Sequence, residues 1–292
     1  MNILVTGANG QLGKELQVLM RNKQNSIQHN FFFTDRNELD ITDKKSIENF
    51  LTKKEISTII NCAAYTAVDK AEEERELADL INHKAVEILA NSAKEHEIPL
   101  LHISTDYVFN GTSCKPYKET DHTNPQNIYG ATKLKGEEAF QNSGAKGMII
   151  RTSWVYSPFG QNFVKTMLRL AKSKKELRII YDQIGSPTYA KDLAKTILQI
   201  MQNPTFTTLK SVEVYHYSNE GLCSWYDFAK AIFELKNIGI KVLPIETKEY
   251  PTSAKRPNYS VLSKKKIKKD FDIEIPYWRD SLKDCLQRLT NV

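Results

Sequence analysis

Tyr129 and Lys133, in Tyr129-Gly130-Ala131-Thr132-Lys133, stand four residues apart at the start of a segment with helical periodicity. Positions i and i+4 share a helical face, so phenol and ammonium can meet over one site. Tyrosine alone, with a pKa near ~10, is a poor acid–base group at neutrality. A lysine within a few ångströms favours tyrosinate and is expected to lower that pKa by about 1–3 units. A tyrosine so poised can exchange a proton with a carbinol oxygen while a nicotinamide carries the hydride. Ser104-Thr105 closes a strand upstream, and a hydroxyl there can bond the same oxygen. Thr105, Tyr129 and Lys133 are therefore the candidate catalytic residues.

A second constellation concerns phosphate. Gly7-Ala8-Asn9-Gly10-Gln11-Leu12-Gly13 is G-x-x-G-x-x-G, placed after an apolar strand with a helix starting inside it. Gly7 permits the turn, Gly10 lets backbone N–H groups approach a pyrophosphate, and Gly13 lets the helix pack closely. The helix N-terminus adds the positive end of its dipole. The next strand ends in Thr34-Asp35-Arg36. A carboxylate there accepts ribose hydroxyls, whereas an arginine attracts a 2′-phosphate. Asp35 and Arg36 together argue for NADH with tolerance of NADPH. Asp40 and Ile41 follow as candidates for the adenine pocket.

These residues need elements to hold them. Strand patterns at Asn2–Thr6, 31–34, 58–64, 99–104 and 147–155 alternate with helical ones at 11–21, 43–54, 74–97 and 128–142. That order predicts an α/β fold, a doubly wound parallel sheet of Rossmann type. The dinucleotide-binding domain is expected over 1–155, rejoined by parts of 187–218. A smaller, mainly substrate-binding lobe is expected over 156–292. Helices are expected at 162–175, 187–203 and 225–236, the last capped by Ser224, with a strand at 212–217.

Four cysteines without a CxxC pair suit a reducing cytoplasm rather than a disulfide framework. No apolar run reaches the ~20 residues of a membrane helix, and the first residues do not read as a signal peptide. The histidines do not cluster, so no metal is inferred. His102 reads as a core histidine.

The order of these motifs resembles the extended short-chain dehydrogenase/reductase superfamily. Within it the chain is similar over essentially its whole length to the dTDP-4-dehydrorhamnose reductase group, through TGANGQLGKEL, NCAAYTAVDKAE, STDYVF, NIYGATK, RTSWVY, DQIGSPT, SWYDFA and KRPNYSVL. The resemblance implies NAD(P)H-dependent reduction of the C4 ketone of dTDP-4-dehydro-β-L-rhamnose, with a nucleotide sugar as partner. It makes Tyr129 the proton donor, Lys133 its helper and holder of the nicotinamide ribose, and Thr105 the hydroxyl that tunes the substrate oxygen. It assigns Gly10, Gln11 and Leu12 to the phosphates, Asp35, Asp40 and Ile41 to the adenosine, and Ala64, Tyr65 and Thr66 to further cofactor contacts. Thr105, Asp106 and Trp154 become substrate contacts. Tyr65 stands where some relatives carry His.

Trp154 offers a flat face to a sugar ring or base, and reads equally as a core tryptophan. Arg256 can fork onto a diphosphate, and reads equally as a surface arginine. Asn82 reads as an ordinary polar helix residue before it reads as a pin for the active-site helix.

Three rivals stand beside the reductase. A nucleotide-sugar 4,6-dehydratase of the same superfamily carries Asp-Glu after its catalytic Thr, whereas Tyr107 follows Asp106 here; an epimerase stays open. A non-catalytic NAD(P)-binding regulatory subunit is opposed by the joint presence of Thr105, Tyr129 and Lys133. Nucleic-acid or membrane binding rests only on the net charge of +6, from 41 Lys+Arg against 35 Asp+Glu. Five of those positive charges lie in Lys264-Lys265-Lys266-Ile267-Lys268-Lys269, which reads first as a solvated face. No nucleic acid and no membrane are expected, and a homodimer is left open.

Overall fold

The computed structural model describes residues 1–22 and 29–289. Strand β1 (Asn2–Thr6) leads into α1 (Gln11–Asn22), followed by β2 (Asn30–Thr34), α2 (Lys44–Lys53) and β3 (Thr58–Asn61). Helix α3 (Arg75–Asp79) runs through one π-helical turn, Leu80–Lys84, into α4 (Ala85–Glu95). Then come β4 (Leu100–Thr105), α5 (Ile128–Asn142) and β5 (Gly147–Thr152). The rest comprises β6 (Val155–Tyr156), α6 (Phe163–Ala171), β7 (Glu176–Ile180), β8 (Ile184–Gly185), β9 (Thr188–Tyr189), α7 (Ala190–Gln202), α8 (Pro204–Thr207), β10 (Val212–Tyr217), β11 (Cys223–Ser224), α9 (Trp225–Leu235), β12 (Lys241–Ile245), α10 (Lys265–Phe271) and α11 (Trp278–Leu289).

Six strands form one parallel sheet in the order β10-β5-β4-β3-β1-β2. The inner strands β1, β3, β4 and β5 are buried almost throughout because both faces are covered. Leu12 and Leu16 of α1, Leu193 and Ile197 of α7 and Ile267 and Phe271 of α10 share one core. Ile47 and Leu51 of α2, Val86 and Leu89 of α4 and Phe140 of α5 share the other. The chain order reverses at β1, whose neighbours are β2 and β3. Ligands of such sheets bind in the crevice at the strands' carboxyl ends beside that reversal. A third cluster, with Tyr156, Val164, Phe228, Ile232 and Leu282, lies in the later elements.

Several segments differ from the periodicity reading. The helix expected over 74–97 contains the π turn, centred on the buried Asn82. The strand expected to reach Ala64 ends at Asn61, whose side chain turns to accept from the Ala63 N–H. Pro187 precedes the short β9, and the helix begins only at Ala190. Ser224 caps α9 as expected, in a full capping box with Asp227.

The basic run is not simply a solvated face. Lys264 is buried and pairs with Glu220, which also holds Lys268, while Lys266 pairs with Glu213 and lies over the Tyr215 ring. Lys265 and Lys269 are exposed. Among the described residues, no helix is long and apolar enough to cross a membrane.

Candidate active site

The glycine loop is built from close backbone approaches. Gly7 adopts φ +69°, and a Cβ there would stand 2.6 Å from the Ala63 nitrogen. A Cβ on Gly13 would stand 2.4 Å from the Gly7 carbonyl oxygen. At Gly10 the nearest atom would be that same oxygen at 3.2 Å, so the loop stays open toward the crevice. Helix α1 begins directly behind it and directs its unpaired N-terminal donors there.

Two adjoining cavities share Gly10, Cys62 and Ala64. The first, about 440 Å³, is lined by Gly7, Asp35, Arg36, Asp40 and Ile41 among others. Asp35 accepts from the Asn37 N–H at 2.9 Å and from Asn9 Nδ2 at 2.7 Å, so its carboxylate is already oriented. Arg36 is exposed on the rim. Asp40 accepts from the hydroxyl and N–H of Thr42, which hold its carboxyl below the usual range and shape the turn beneath the pocket.

The second cavity, about 560 Å³, brings together Gln11, Leu12, Thr66, Thr105, Asp106, Tyr129, Lys133 and Trp154. Ala64 lines both cavities. Tyr65 lines neither: its phenol donates to Glu74 at 2.7 Å, while its backbone N–H and C=O are held by the Asn82 amide. Asn82 also donates to Thr132 of α5 at 3.3 Å. It is thus the pin between the loop after β3 and the active-site helix, against the ordinary reading of it.

Thr105 ends β4, donates its hydroxyl to Asp106 Oδ1 at 3.0 Å, and lines the same cavity as Tyr129, the second residue of α5. Asn127 caps that helix on the Gly130 N–H, and the Tyr107 ring meets Tyr129 edge to face at 5.5 Å. Burial pushes the Tyr129 phenol up to about 12, with Thr105 pulling weakly the other way. The tyrosinate expected from the sequence is therefore not what the geometry favours. Lys133 Nζ turns instead to the Ile103 carbonyl at 2.7 Å and to His102 Nε2 at 3.2 Å, and burial depresses the amine to about 8. Burial lifts the neighbouring Asp106 to about 7, against the hydrogen bond that Thr105 Oγ1 donates to its Oδ1 at 3.0 Å.

A crevice with a glycine-built phosphate loop at one end and a Thr–Tyr–Lys group at the other is now in view. The chain matches the family described as the RmlD substrate binding domain over residues 1–291. The chain belongs to this family. It is 42% identical over 299 residues to the dTDP-4-dehydrorhamnose reductase of Escherichia coli strain K12, covering 99% of this chain and 98% of that relative. The crystal structure of a dTDP-4-dehydrorhamnose reductase from Clostridium acetobutylicum superposes with TM-score 0.92 at 42% identity, covering 99% of this chain and 100% of the other. The corresponding enzyme from Bacillus anthracis, solved in complex with NADP, gives TM-score 0.91 at 39% identity, covering 98% and 99%.

In this RmlD-family chain the far wall of the cleft is aromatic. Trp154 holds a left-handed backbone, φ +49°, and stacks on Trp225 with centroids 3.5 Å apart. A Cβ on Gly185 would reach the Trp154 ring at 2.6 Å, which is why glycine stands there. Trp225 escaped the residue-by-residue reading. Its only sequence signal is the SWYDFA stretch, which read as a capped helix start. Arg256 is not brought to the cavity wall: its guanidinium pairs with Asp69 at 2.6 Å, tying the loop after β3 to the C-terminal segment.

Proposed function

We propose that the chain reduces the C4 ketone of dTDP-4-dehydro-β-L-rhamnose to dTDP-β-L-rhamnose with NADH or NADPH, and that Tyr129 is the proton donor. The observation that carries this reading is the meeting of Thr105, Tyr129 and Lys133 in a cleft continuous with the glycine-loop pocket. The open cradle at Gly10 and the oriented carboxylate of Asp35 fit a dinucleotide. Gly7, Gly10, Gln11, Leu12 and Gly13 would hold its phosphates, and Asp35, Arg36, Asp40 and Ile41 its adenosine. Ala64, the Tyr65 backbone, Thr66 and Lys133 would hold the nicotinamide end. When bound, the reduced nicotinamide supplies a hydride.

Tyr129 remains a neutral phenol through the neutral range because burial opposes its ionisation. It can therefore give its Oη proton to the alkoxide forming at the sugar oxygen. Thr105, on the same cavity wall as that phenol, supplies a second hydroxyl for the same oxygen. Trp154 offers its face to the sugar, and Asp106 its carboxyl to a sugar hydroxyl.

The test mixes purified protein with the 4-keto sugar nucleotide and either reduced cofactor. Expected is loss of absorbance at 340 nm matched by dTDP-rhamnose. An isomerised sugar without net cofactor oxidation, or bound cofactor with no turnover, overturns the reading. Tyr129→Phe should lower kcat by roughly 10²- to 10⁴-fold with little change in substrate binding, and unchanged turnover removes Tyr129 from the donor role.

A further inference from the structure

Trp154 stands two residues beyond β5 with φ +49°, a region that residues carrying a side chain seldom occupy. Such a backbone persists only where its surroundings over-determine it. Two hydrogen bonds tie it down: the Thr188 N–H donates to the Trp154 carbonyl at 3.1 Å, and the Ser153 hydroxyl donates to the Ser186 carbonyl at 2.7 Å. The ring is held separately, by one small unit. Strands β8 and β11 pair antiparallel, with Gly185 opposite Cys223 and Ile184 opposite Ser224. Gly185 meets the indole edge, where a Cβ would stand 2.6 Å from Cε2 and 2.8 Å from Cζ2. Trp225, the residue after β11, covers one indole face, with the planes 10° from parallel.

Carbon atoms in van der Waals contact are already about 3.5–4.0 Å apart. The centroid distance of 3.5 Å therefore leaves the two rings almost no sideways offset. Ring quadrupoles favour offset or edge-to-face pairs over such a sandwich, so the pair is imposed by its frame. That frame is firm on the Trp225 side. Ser224 and Asp227 close a reciprocal capping box that fixes Trp225 as the first residue of α9. Phe163 packs on Trp225 at 4.7 Å and stacks on Phe228 at 5.7 Å, and Phe228 meets Trp278 edge to face. Trp154 is thus the outermost ring of an aromatic succession that runs back into the third core cluster. Trp154 and Trp225 both line the cleft.

We propose that Trp225 is a positioning residue: with Gly185 it forms a slot that holds the Trp154 indole by one face and one edge, leaving the opposite face as a fixed plate for the sugar ring. A pyranose presents a face of C–H bonds, and it gains from an indole only where that face lies flat on an uncovered ring. A plate that cannot turn disfavours a ring presented at another tilt, so Trp225 sets selectivity through Trp154. The role toward the sugar rests on the proposed reductase activity, whereas the slot is read without substrate.

In ¹⁵N-labelled full-length chain the Trp154 indole N–H is identified by its loss in Trp154→Ala. In Trp225→Ala this signal should move, as the ring current of its partner is lost, and its relaxation should become that of a mobile side chain. An unmoved, rigid signal overturns the slot. Calorimetry then compares dTDP-rhamnose with dTDP, which lacks the sugar. Trp225→Ala should weaken dTDP-rhamnose about 3- to 10-fold and leave dTDP and NADPH unchanged; equal loss for dTDP overturns the plate. KM for the 4-keto sugar nucleotide should rise by a similar factor, more than kcat falls. Trp225→Phe, which keeps a flat ring, should recover most of the loss, and Trp225→Leu, which keeps only apolar volume, should not. Equal recovery by both refutes the positioning role. Gly185→Ala strikes the other wall of the slot, should act in the same direction, and serves should Trp225→Ala fail to fold. A parent that does not reduce the sugar nucleotide fails the reductase reading, while the indole signal still decides the slot.

Discussion

Glu137→Ala should destabilise the protein by about 4–6 kcal/mol. Glu137 is fully buried on α5, one turn beyond Lys133. Its carboxylate accepts from Arg151 Nε at 3.0 Å and Nη2 at 2.6 Å, and from the Ser104 hydroxyl. Arg151 is itself buried, with its guanidinium 5.1 Å over the Phe109 ring. Truncation leaves a cation with no counter-charge in the interior, which costs about 3–5 kcal/mol. The Ser104 hydroxyl loses its acceptor, for about 1 kcal/mol more after rotation. The sum is a large part of the ~5–15 kcal/mol by which a domain is stable. The double variant Glu137→Leu, Arg151→Met removes both charges and fills the volume, so it should recover most of the loss. Urea unfolding followed by tryptophan fluorescence measures all three proteins by linear extrapolation. A single-variant loss below about 1 kcal/mol would show the pair to behave like a surface one. A double variant no more stable than the single would show that packing, not the stranded charge, is what was lost.

Gly13→Ala forces a methyl against the Gly7 carbonyl and should weaken NADH binding by more than about tenfold, read by fluorescence titration; unchanged affinity would mean that the loop can relax. Trp154→Ala removes the proposed sugar face while leaving the glycine loop intact. It should raise KM for the nucleotide sugar with little effect on cofactor affinity, and the opposite split would reassign it to the cofactor. Acid stability follows from two histidines. His216 is depressed to about 3 and His102 well below 6.5, both chiefly by burial, with Arg151 and Lys133 adding to it. A base with a depressed folded pKa leaves the unfolded chain binding more protons below ~6.5, so stability is full above that pH and falls as pH drops toward the folded value. Asp106, lifted to about 7, works in the opposite direction between ~4 and 7. His216→Phe removes one of the two histidine contributions. Its urea midpoint should therefore fall less steeply from pH 6.5 to 5 than that of the parent, by up to ~1.4 kcal/mol per pH unit; parallel slopes would refute the assignment.

What the sequence made legible was local. The glycine loop, the strand-end Asp35 and the i, i+4 pair at Tyr129 and Lys133 each carry a spacing that a turn or helix converts directly into proximity. The parallel sheet followed from alternating apolar strands and amphipathic helices. What stayed hidden was the identity of partners far along the chain. Arg256 gives no sign that Asp69, 187 residues away, claims its guanidinium. The lysines from 264 onward look solvated until Glu213 and Glu220 are placed beside them. His102 reads as a core residue, which it is, but its neighbour 31 residues on is Lys133, the lysine of the candidate catalytic group. Asn82 is hidden for another reason: a π turn changes which way one helical residue faces, and periodicity assumes that none occurs.

The position of α5 shows why such partners matter more than its amphipathicity. Its buried residues are Gly130, Thr132, Lys133, Gly136, Glu137 and Phe140, of which only Phe140 is a large apolar side chain. Gly130 and Gly136 let the helix backbone press on the carbonyls of Tyr107 and Asn82, where a Cβ would stand 2.3 and 2.1 Å away. The remaining anchors are directional: the Asn127 amide on the Lys255 carbonyl, Lys133 on Ile103, Glu137 on Arg151 and Ser104. Apolar burial is non-directional and would tolerate a slide of the helix along the sheet. Hydrogen bonds lose strength within a few tenths of an ångström and some tens of degrees. A helix held this way is fixed at the tolerance that the proposed proton transfer from Tyr129 requires.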